Sequence, residues 1–224
     1  MNTVKRLALI LIAVGLAACA SQQPTYDDSA FKQADPTSIL ILPPVNNTPE
    51  IIAPYSVMAQ AATPVAESGF YVFPVALVDQ TFKNNGLTVA QEIQNVPLAK
   101  LREIFGADAA LYMTIERYGT SYVVVSSETR VTVSARLIDL RSGQKLWQGA
   151  ATASSAENQA SVNNSLVGML IQAAVSQVFE TVTDRGFDIS ALATSRLLSA
   201  ENKQGFRYGP RSPQYRQEEA QHGH

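Results

Sequence analysis

Short apolar segments that alternate between helix-like and strand-like patterns constrain the fold of this chain more than any other feature. SILIL at 38–42 and FYVF at 70–73 have the composition of buried strands, and prolines end both. Helix-like segments separate these strands and follow the second one, and a run of four β-rich segments comes next. The β-rich segments are 107–119, 122–126, 130–140 and 145–151. Such an order of elements predicts an α/β fold.

We predict a single-domain α/β sandwich, with a mixed sheet of about five strands and helices largely on one face. At 224 residues the chain has room for one domain with tails. Hydrophobic residues make up 46% of it and charged residues 16%, which is typical of a chain with a core to bury. The predicted domain is 38–190 and includes a long helix at 161–184. The polar residues 191–224 are predicted to form a mostly disordered tail.

The only cysteine, Cys19, ends a stretch that has the order of a secretory signal peptide. Lys5 and Arg6 precede an apolar run at 7–16, and two alanines follow that run. The run is about half of the ~20 residues that a membrane-spanning helix needs. Residues 1–18 are therefore predicted to be a signal peptide that is removed.

The residues LAAC that end at Cys19 resemble the lipobox of bacterial lipoproteins. This resemblance implies cleavage before Cys19, a diacylglycerol on its thiol and an acyl chain, such as palmitate, on its new amine. Ala20 and Ser21 stand where such lipoproteins carry an aspartate if they stay at the inner membrane. The resemblance thus implies lipid anchoring at the outer membrane, facing the periplasm. A catalytic nucleophile and a buried structural thiol are the alternatives for Cys19.

Residues 19–37 are polar, contain Pro24 and Pro36, and show no apolar period. We predict that they form the lipidated N-terminus and a flexible tether. Fully extended, such a segment spans about 60 Å. The predicted domain therefore stays near the membrane.

The residues argue against an enzyme. Both histidines, His222 and His224, lie at the C-terminus, so the predicted domain has no histidine to activate a serine or cysteine. No phosphate-binding glycine pattern and no metal-ligand spacing occurs, so we predict no cofactor and no metal. A carboxylate pair of the glycosidase kind is the enzymatic alternative. Its candidates are Asp79, Glu92, Glu103, Asp108, Glu116, Glu128 and Asp139.

The net charge of −2 argues against nucleic acid as a partner, because nucleic-acid binding calls for a basic face. Three aromatic residues near strand ends are candidates for a protein-binding surface. Tyr118 and Tyr122 flank Gly119, and Trp147 follows the SGQKL turn. Interfaces are enriched in tyrosine and tryptophan. The alternative is that all three pack in the core or at strand edges.

Three segments together resemble a family of envelope lipoproteins that includes a meningococcal genome-derived vaccine antigen. They are GFYVFPVALVDQTFKNNG, PLAKLREIFGADAALYMTIERYGTSY and SSETRVTVSARLIDLRSGQKLWQGAATASS, and the likeness runs over 38–184. Members of that family resemble the N-terminal domain of the Tol-system β-propeller protein and the lipoprotein activators of peptidoglycan synthases. The resemblance implies no catalytic residue. The one site that it implies is the lipidation site, Cys19.

Together with the residues, the resemblance implies a non-enzymatic, outer-membrane-anchored accessory binding module of a cell-envelope export or assembly complex. The expected partners are the membrane, through the lipid, and envelope proteins, with a curli-export-type lipoprotein as one candidate. Homo-oligomerisation stays open. The alternative functions are a lipoprotein activator of a peptidoglycan synthase and a surface-exposed antigen.

Overall fold

The structure is a computed structural model that describes residues 28–123, 126–157, 182–201 and 206–215. The predicted signal peptide, Cys19 and most of the helix predicted at 161–184 lie outside the described residues. The strands are β1 (Ser38–Ile41), β2 (Val45–Asn46), β3 (Tyr71–Val72), β4 (Ala109–Val123), β5 (Ser126–Asp139) and β6 (Lys145–Ser154). The helices are α1 (Ser29–Ala34), α2 (Ala53–Glu67), α3 (Val75–Asn84), α4 (Ala90–Gln94), α5 (Leu98–Phe105) and α6 (Val182–Leu198).

The strands form one mixed sheet in the order β3–β1–β4–β5–β6, and β2 also pairs with β4. The three short strands run parallel to their neighbours, whereas β4, β5 and β6 form an antiparallel meander. This confirms the predicted α/β class with a mixed sheet. The described residues form six strands where about five were predicted, because the two-residue β2 follows Pro43-Pro44, the prolines that end the first predicted strand.

Local sequence signals explain where the helices begin and end. Pro97 is the N-cap of α5, and proline suits this place because it lacks the N–H that the first helical turn leaves unpaired. Gly106 ends α5 with a φ of +69°, a left-handed conformation that glycine adopts without strain. Pro64 lies in the last turn of α2, and the helix continues past it to Glu67.

The two faces of the sheet are covered unequally. Ile39, Leu40 and Ile41 of β1 are all fully buried, so helices cover both faces of the sheet there, because successive side chains point to opposite faces. Helix α6 packs against α2 and against β5 and β6. On the opposite face of the same strands, Arg136 and Gln148 are exposed. No helix of the described ranges covers that part of the face, which we call the open face of β4, β5 and β6.

Helix α1 lies within the segment predicted to be a flexible tether. Phe31 of α1 is 4% exposed, and its ring meets that of Phe70 edge-on with centroids 6.1 Å apart. Residues 28–37 therefore pack with the domain. A lone phenylalanine in a polar segment shows no periodicity, which is why the sequence did not predict the helix.

The segment after residue 190 also packs on the domain wherever the structure describes it. Helix α6 continues to Leu198, and Phe206 is 1% exposed. The backbone N–H of Gly209 donates to the carbonyl of Ser68 at 2.8 Å, which adds a main-chain contact. The expected disorder is thus corrected for 191–201 and 206–215, because a buried aromatic ring and backbone hydrogen bonds hold a segment of polar composition.

Candidate binding site on the open sheet face

Two of the three aromatic residues predicted to form a partner surface lie in the core. Tyr118 is 7% exposed and Trp147 is 2% exposed. Tyr122 belongs to β4, where its backbone pairs with that of Ser127, and its side chain lies outside the described residues. The prediction is corrected for Tyr118 and Trp147, because helix α6 and the segment with Phe206 cover strand positions that sequence alone leaves open.

The hydroxyl of Tyr118 is buried without a hydrogen-bond partner among the described residues. Burial raises the pKa of this phenol, and the nearby hydroxyls of Ser56 and Ser190 oppose that rise without completing a hydrogen bond. A buried hydroxyl without a partner costs stability. Tyr118 therefore contributes to the core through its ring.

Two of the candidate catalytic carboxylates are held in structural contacts. Oδ2 of Asp108 accepts four hydrogen bonds of 2.7–3.1 Å, from the backbone N–H and the hydroxyl of Thr37 and of Ser38. Burial alone would raise the pKa of Asp108, but these hydrogen bonds outweigh it and lower the pKa. The same balance lowers the pKa of Asp139, which caps the β5–β6 turn through Ser142. Neither carboxylate is poised to act as an acid.

Four of the other five candidate carboxylates form ion pairs or hydrogen bonds with neighbouring side chains. The ion pairs are Asp79–Lys83 at 2.6 Å, Glu103–Lys100 at 3.0 Å and Glu128–Arg130 at 2.6 Å. Glu116 accepts hydrogen bonds from Asn47 and Ser134 at 3.1 and 3.2 Å. Within the described ranges, no three histidine, cysteine or acidic residues are grouped to hold a metal.

The open face carries a groove of about 460 Å³. Its lining comprises Gln94, Tyr112, Thr114, Ser134, Ala135, Arg136, Gln148, Gly149 and Ala150. The pairing register places Tyr112, Arg136 and Gln148 side by side across three strands. Facing residues of this kind have Cβ atoms about 5 Å apart. The volume lies in the range of small-molecule sites.

Among the described residues, Arg136 is the one cation that lines this groove. Its guanidinium lies over the ring of Tyr112, 5.1 Å from the centroid, in a cation–π contact. Among the described residues it makes no ion pair and no hydrogen bond. Burial raises the pKa of Tyr112, and the charge of Arg136 opposes that rise. The groove therefore presents an unpaired positive charge beside a neutral phenol.

Two glutamines complete the polar lining. Nε2 of Gln94 donates to the carbonyls of Pro43 and Met113 at 3.0 and 2.9 Å, which leaves its Oε1 available as an acceptor. Oε1 of Gln148 accepts from Nζ of Lys145 at 2.6 Å, which leaves the amide N–H groups of Gln148 available as donors. The groove can hydrogen-bond a polar ligand, and the described residues of its lining include no histidine, cysteine or carboxylate.

Residues 26–211 match the GNA1162-like lipoproteins. The chain belongs to this lipoprotein family. The protein NMB1124/NMB1162 of Neisseria meningitidis serogroup B is 44% identical over 209 residues, which cover 92% of this chain and 96% of that protein. This confirms the family that the sequence segments predicted.

Two solved structures are similar to this GNA1162-like lipoprotein. The crystal structure of lipoprotein GNA1162 from Neisseria meningitidis has 45% sequence identity and a TM-score of 0.51, and the match covers 64% of this chain and 98% of that chain. The C-terminal domain of LpoB from Escherichia coli has 16% identity and a TM-score of 0.37, over 53% of this chain and 83% of that chain.

No sequence motif marks the groove of this GNA1162-like lipoprotein. Its one signal is the alternation of polar Thr114, Ser134 and Arg136 with buried neighbours such as Val133, which indicates a strand with one solvent face. No helix within the described ranges is long and apolar enough to cross a membrane.

Proposed function

We propose that this GNA1162-like lipoprotein is a non-enzymatic binding module, held at the outer membrane by lipid on Cys19 and facing the periplasm. It serves as an accessory subunit of a cell-envelope export or assembly complex. The observation that carries the proposal is the polar groove on the open face, in which Arg136 has no ion-pair partner among the described residues. A curli-export-type lipoprotein is the first partner to test.

The packing of α1 shortens the reach of the proposed anchor. Asp28 is the ninth residue after Cys19, and Arg207 and Lys32 pair with it at 3.6 and 3.3 Å. Nine residues span about 30 Å at full extension, half of the 60 Å expected if the tether ran to Thr37. A domain on such a short tether contacts partners close to the membrane. This favours the export or assembly role over activation of a more distant synthase.

Crosslinking in cells, at native expression and followed by purification from membranes, tests the proposal. Ala150→Trp fills the groove from an exposed position of β6, and Thr152→Trp adds the same bulk two residues further along, outside the lining. We expect the wild type and Thr152→Trp to recover the same envelope protein, and Ala150→Trp to lose it.

Recovery of the lipoprotein alone in all three samples would contradict the accessory role. A rise in the activity of a purified peptidoglycan synthase on addition of the mature chain, without any crosslinked export partner, would replace the export role with the activator role. Digestion of the protein by protease on intact cells would favour surface exposure.

A further inference from the structure

We propose that the groove on the open face binds a carboxylate, and that Arg136 is the residue that holds it. The inference rests on the proposed binding function and names the ligand chemistry of the same site. A guanidinium presents paired N–H donors in a plane, and a carboxylate can accept two of them at once. The ligand is therefore a small molecule or chain end with one exposed carboxylate.

Arg136 differs in its partners from three other arginines of the fold. Arg130, Arg141 and Arg196 each pair with a carboxylate, at 2.6, 3.2 and 2.5 Å. Within the described part of the chain, Arg136 has no such partner and packs over Tyr112 instead. The tyrosine ring and the sheet beneath it limit the positions that the guanidinium can take, so less conformational entropy is lost when a ligand binds.

The charges around the groove favour a monoanion over a phosphate. Within the part of the chain that the structure describes, Arg136 is the one cation in the lining, and the Lys145 amine at its margin already bonds Gln148. The carboxylate of Glu116 bonds Ser134, which is itself part of the lining. A dianion would face this negative charge with one cation to balance it, whereas a single carboxylate matches the charge of Arg136.

The uncharged polar side chains of the lining indicate which groups the ligand carries besides its carboxylate. Thr114 adds a hydroxyl, Gln94 an acceptor, and Gln148 two amide donors, so the ligand carries hydrogen-bonding groups beside its carboxylate. A volume of about 460 Å³ accommodates a short peptide or a disaccharide. A peptide C-terminus and a sugar acid offer the same carboxylate, and binding experiments distinguish them.

The test is calorimetry on the full mature chain, purified in detergent. The probes are an N-acetylated tri-alanine peptide with a free carboxylate, its C-terminal amide, a disaccharide with a uronic acid, its neutral counterpart, and inorganic phosphate. We expect at least one carboxylate probe to bind at least about tenfold more tightly than its neutral partner. The probe that binds identifies the source. Equal binding of acid and neutral forms, binding of phosphate as tight as that of the acids, or no binding of either acid would overturn the proposal.

Variants of two arginines on the same strand test the role of Arg136. Arg136→Gln should weaken carboxylate binding at least about tenfold, and Arg136→Lys should retain part of the affinity, because it keeps the charge and loses the planar fork. Arg130→Gln is the matched control, since Arg130 pairs with Glu128 outside the groove. Urea unfolding verifies that all variants fold. An equal loss of affinity in Arg130→Gln would overturn the assignment.

The two proposals fail in different ways. If no carboxylate binds while crosslinking still recovers a partner that Ala150→Trp loses, the ligand assignment falls and the binding function stands. If the carboxylate binds through Arg136 but the lipoprotein is recovered alone from cells, the accessory function falls.

Discussion

The indole of Trp147 and the ring of Phe206 pack with their centroids 4.7 Å apart, which joins the edge strand β6 to the C-terminal segment. Phe206 in turn meets Phe70 edge-on at 5.9 Å, and Phe70 meets Phe31 at 6.1 Å. The four rings connect α1, the start of β3, β6 and the segment 206–215. Segments predicted to be tether and tail therefore contribute to one aromatic cluster in the core.

Replacing Phe206 with alanine should strongly destabilise the fold. The ring is 1% exposed, and phenylalanine-to-alanine changes in cores typically cost about 3–5 kcal/mol. Urea unfolding followed by circular dichroism measures the free energy of unfolding. Ile51→Ala is the control, because Ile51 is 87% exposed and its loss should change that free energy by less than about 0.5 kcal/mol. Similar effects of the two changes would show that the segment does not pack in solution.

A methyl group at Gly186 should destabilise the contact between α6 and β4. A Cβ there would lie 2.8 Å from the ring of buried Tyr118, closer than carbon atoms normally approach. Overpacking of this kind costs about 1–3 kcal/mol, so Gly186→Ala should unfold at lower urea. In a Tyr118→Ala background the same change should be neutral or stabilising, because the clash is gone and alanine favours helix over glycine. A loss of stability in both backgrounds would refute this explanation.

Asp108 should make stability depend on pH in the acid range. Burial acts to raise its pKa, but hydrogen bonds from Thr37 and Ser38 lower it below 3.8, so the charged form is favoured in the folded state. The stabilisation is present at neutral pH and is lost as the pH falls below about 3.8 through the folded pKa. Asp108→Asn should therefore cost about 1 kcal/mol at pH 7, and much less near pH 2. Urea unfolding at several pH values measures this difference.

The control for this pH profile is Glu103→Gln, which removes an exposed ion pair with Lys100 and should change little at any pH. A constant difference between wild type and Asp108→Asn from pH 7 to pH 2 would contradict the role given to the carboxylate.

Cys19→Ser should leave an uncut precursor at the inner membrane, because the proposed lipidation attaches the diacylglycerol to a thiol, which serine lacks. Labelling of cells with radioactive palmitate, gel mobility and membrane fractionation report lipid, cleavage and location. Gln22→Ala, which keeps the LAAC residues intact, should be labelled like the wild type. Normal labelling of Cys19→Ser would show that the cysteine is not the lipid site.

The sequence predicted elements whose signals are local. The SGQKL turn agrees with the structure, which places it between β5 and β6, because turn residues act within a few positions. Phe31 and Phe206 were missed, since an isolated aromatic residue in a polar segment has no period to detect. The groove was missed as well, because Gln94 and Arg136 come from distant parts of the chain.

The amino-acid sequence was sufficient to predict the α/β class, the mixed sheet and the family. Each of these depends on neighbouring residues or on long matching segments. The burial of Trp147 and the exposure of Arg136 follow from the tertiary structure alone. Both lie on strands of the same meander, and their burial depends on which face α6 and the segment 206–215 cover. Packing between segments far apart in the chain determines which face is covered, and local sequence patterns do not predict such packing.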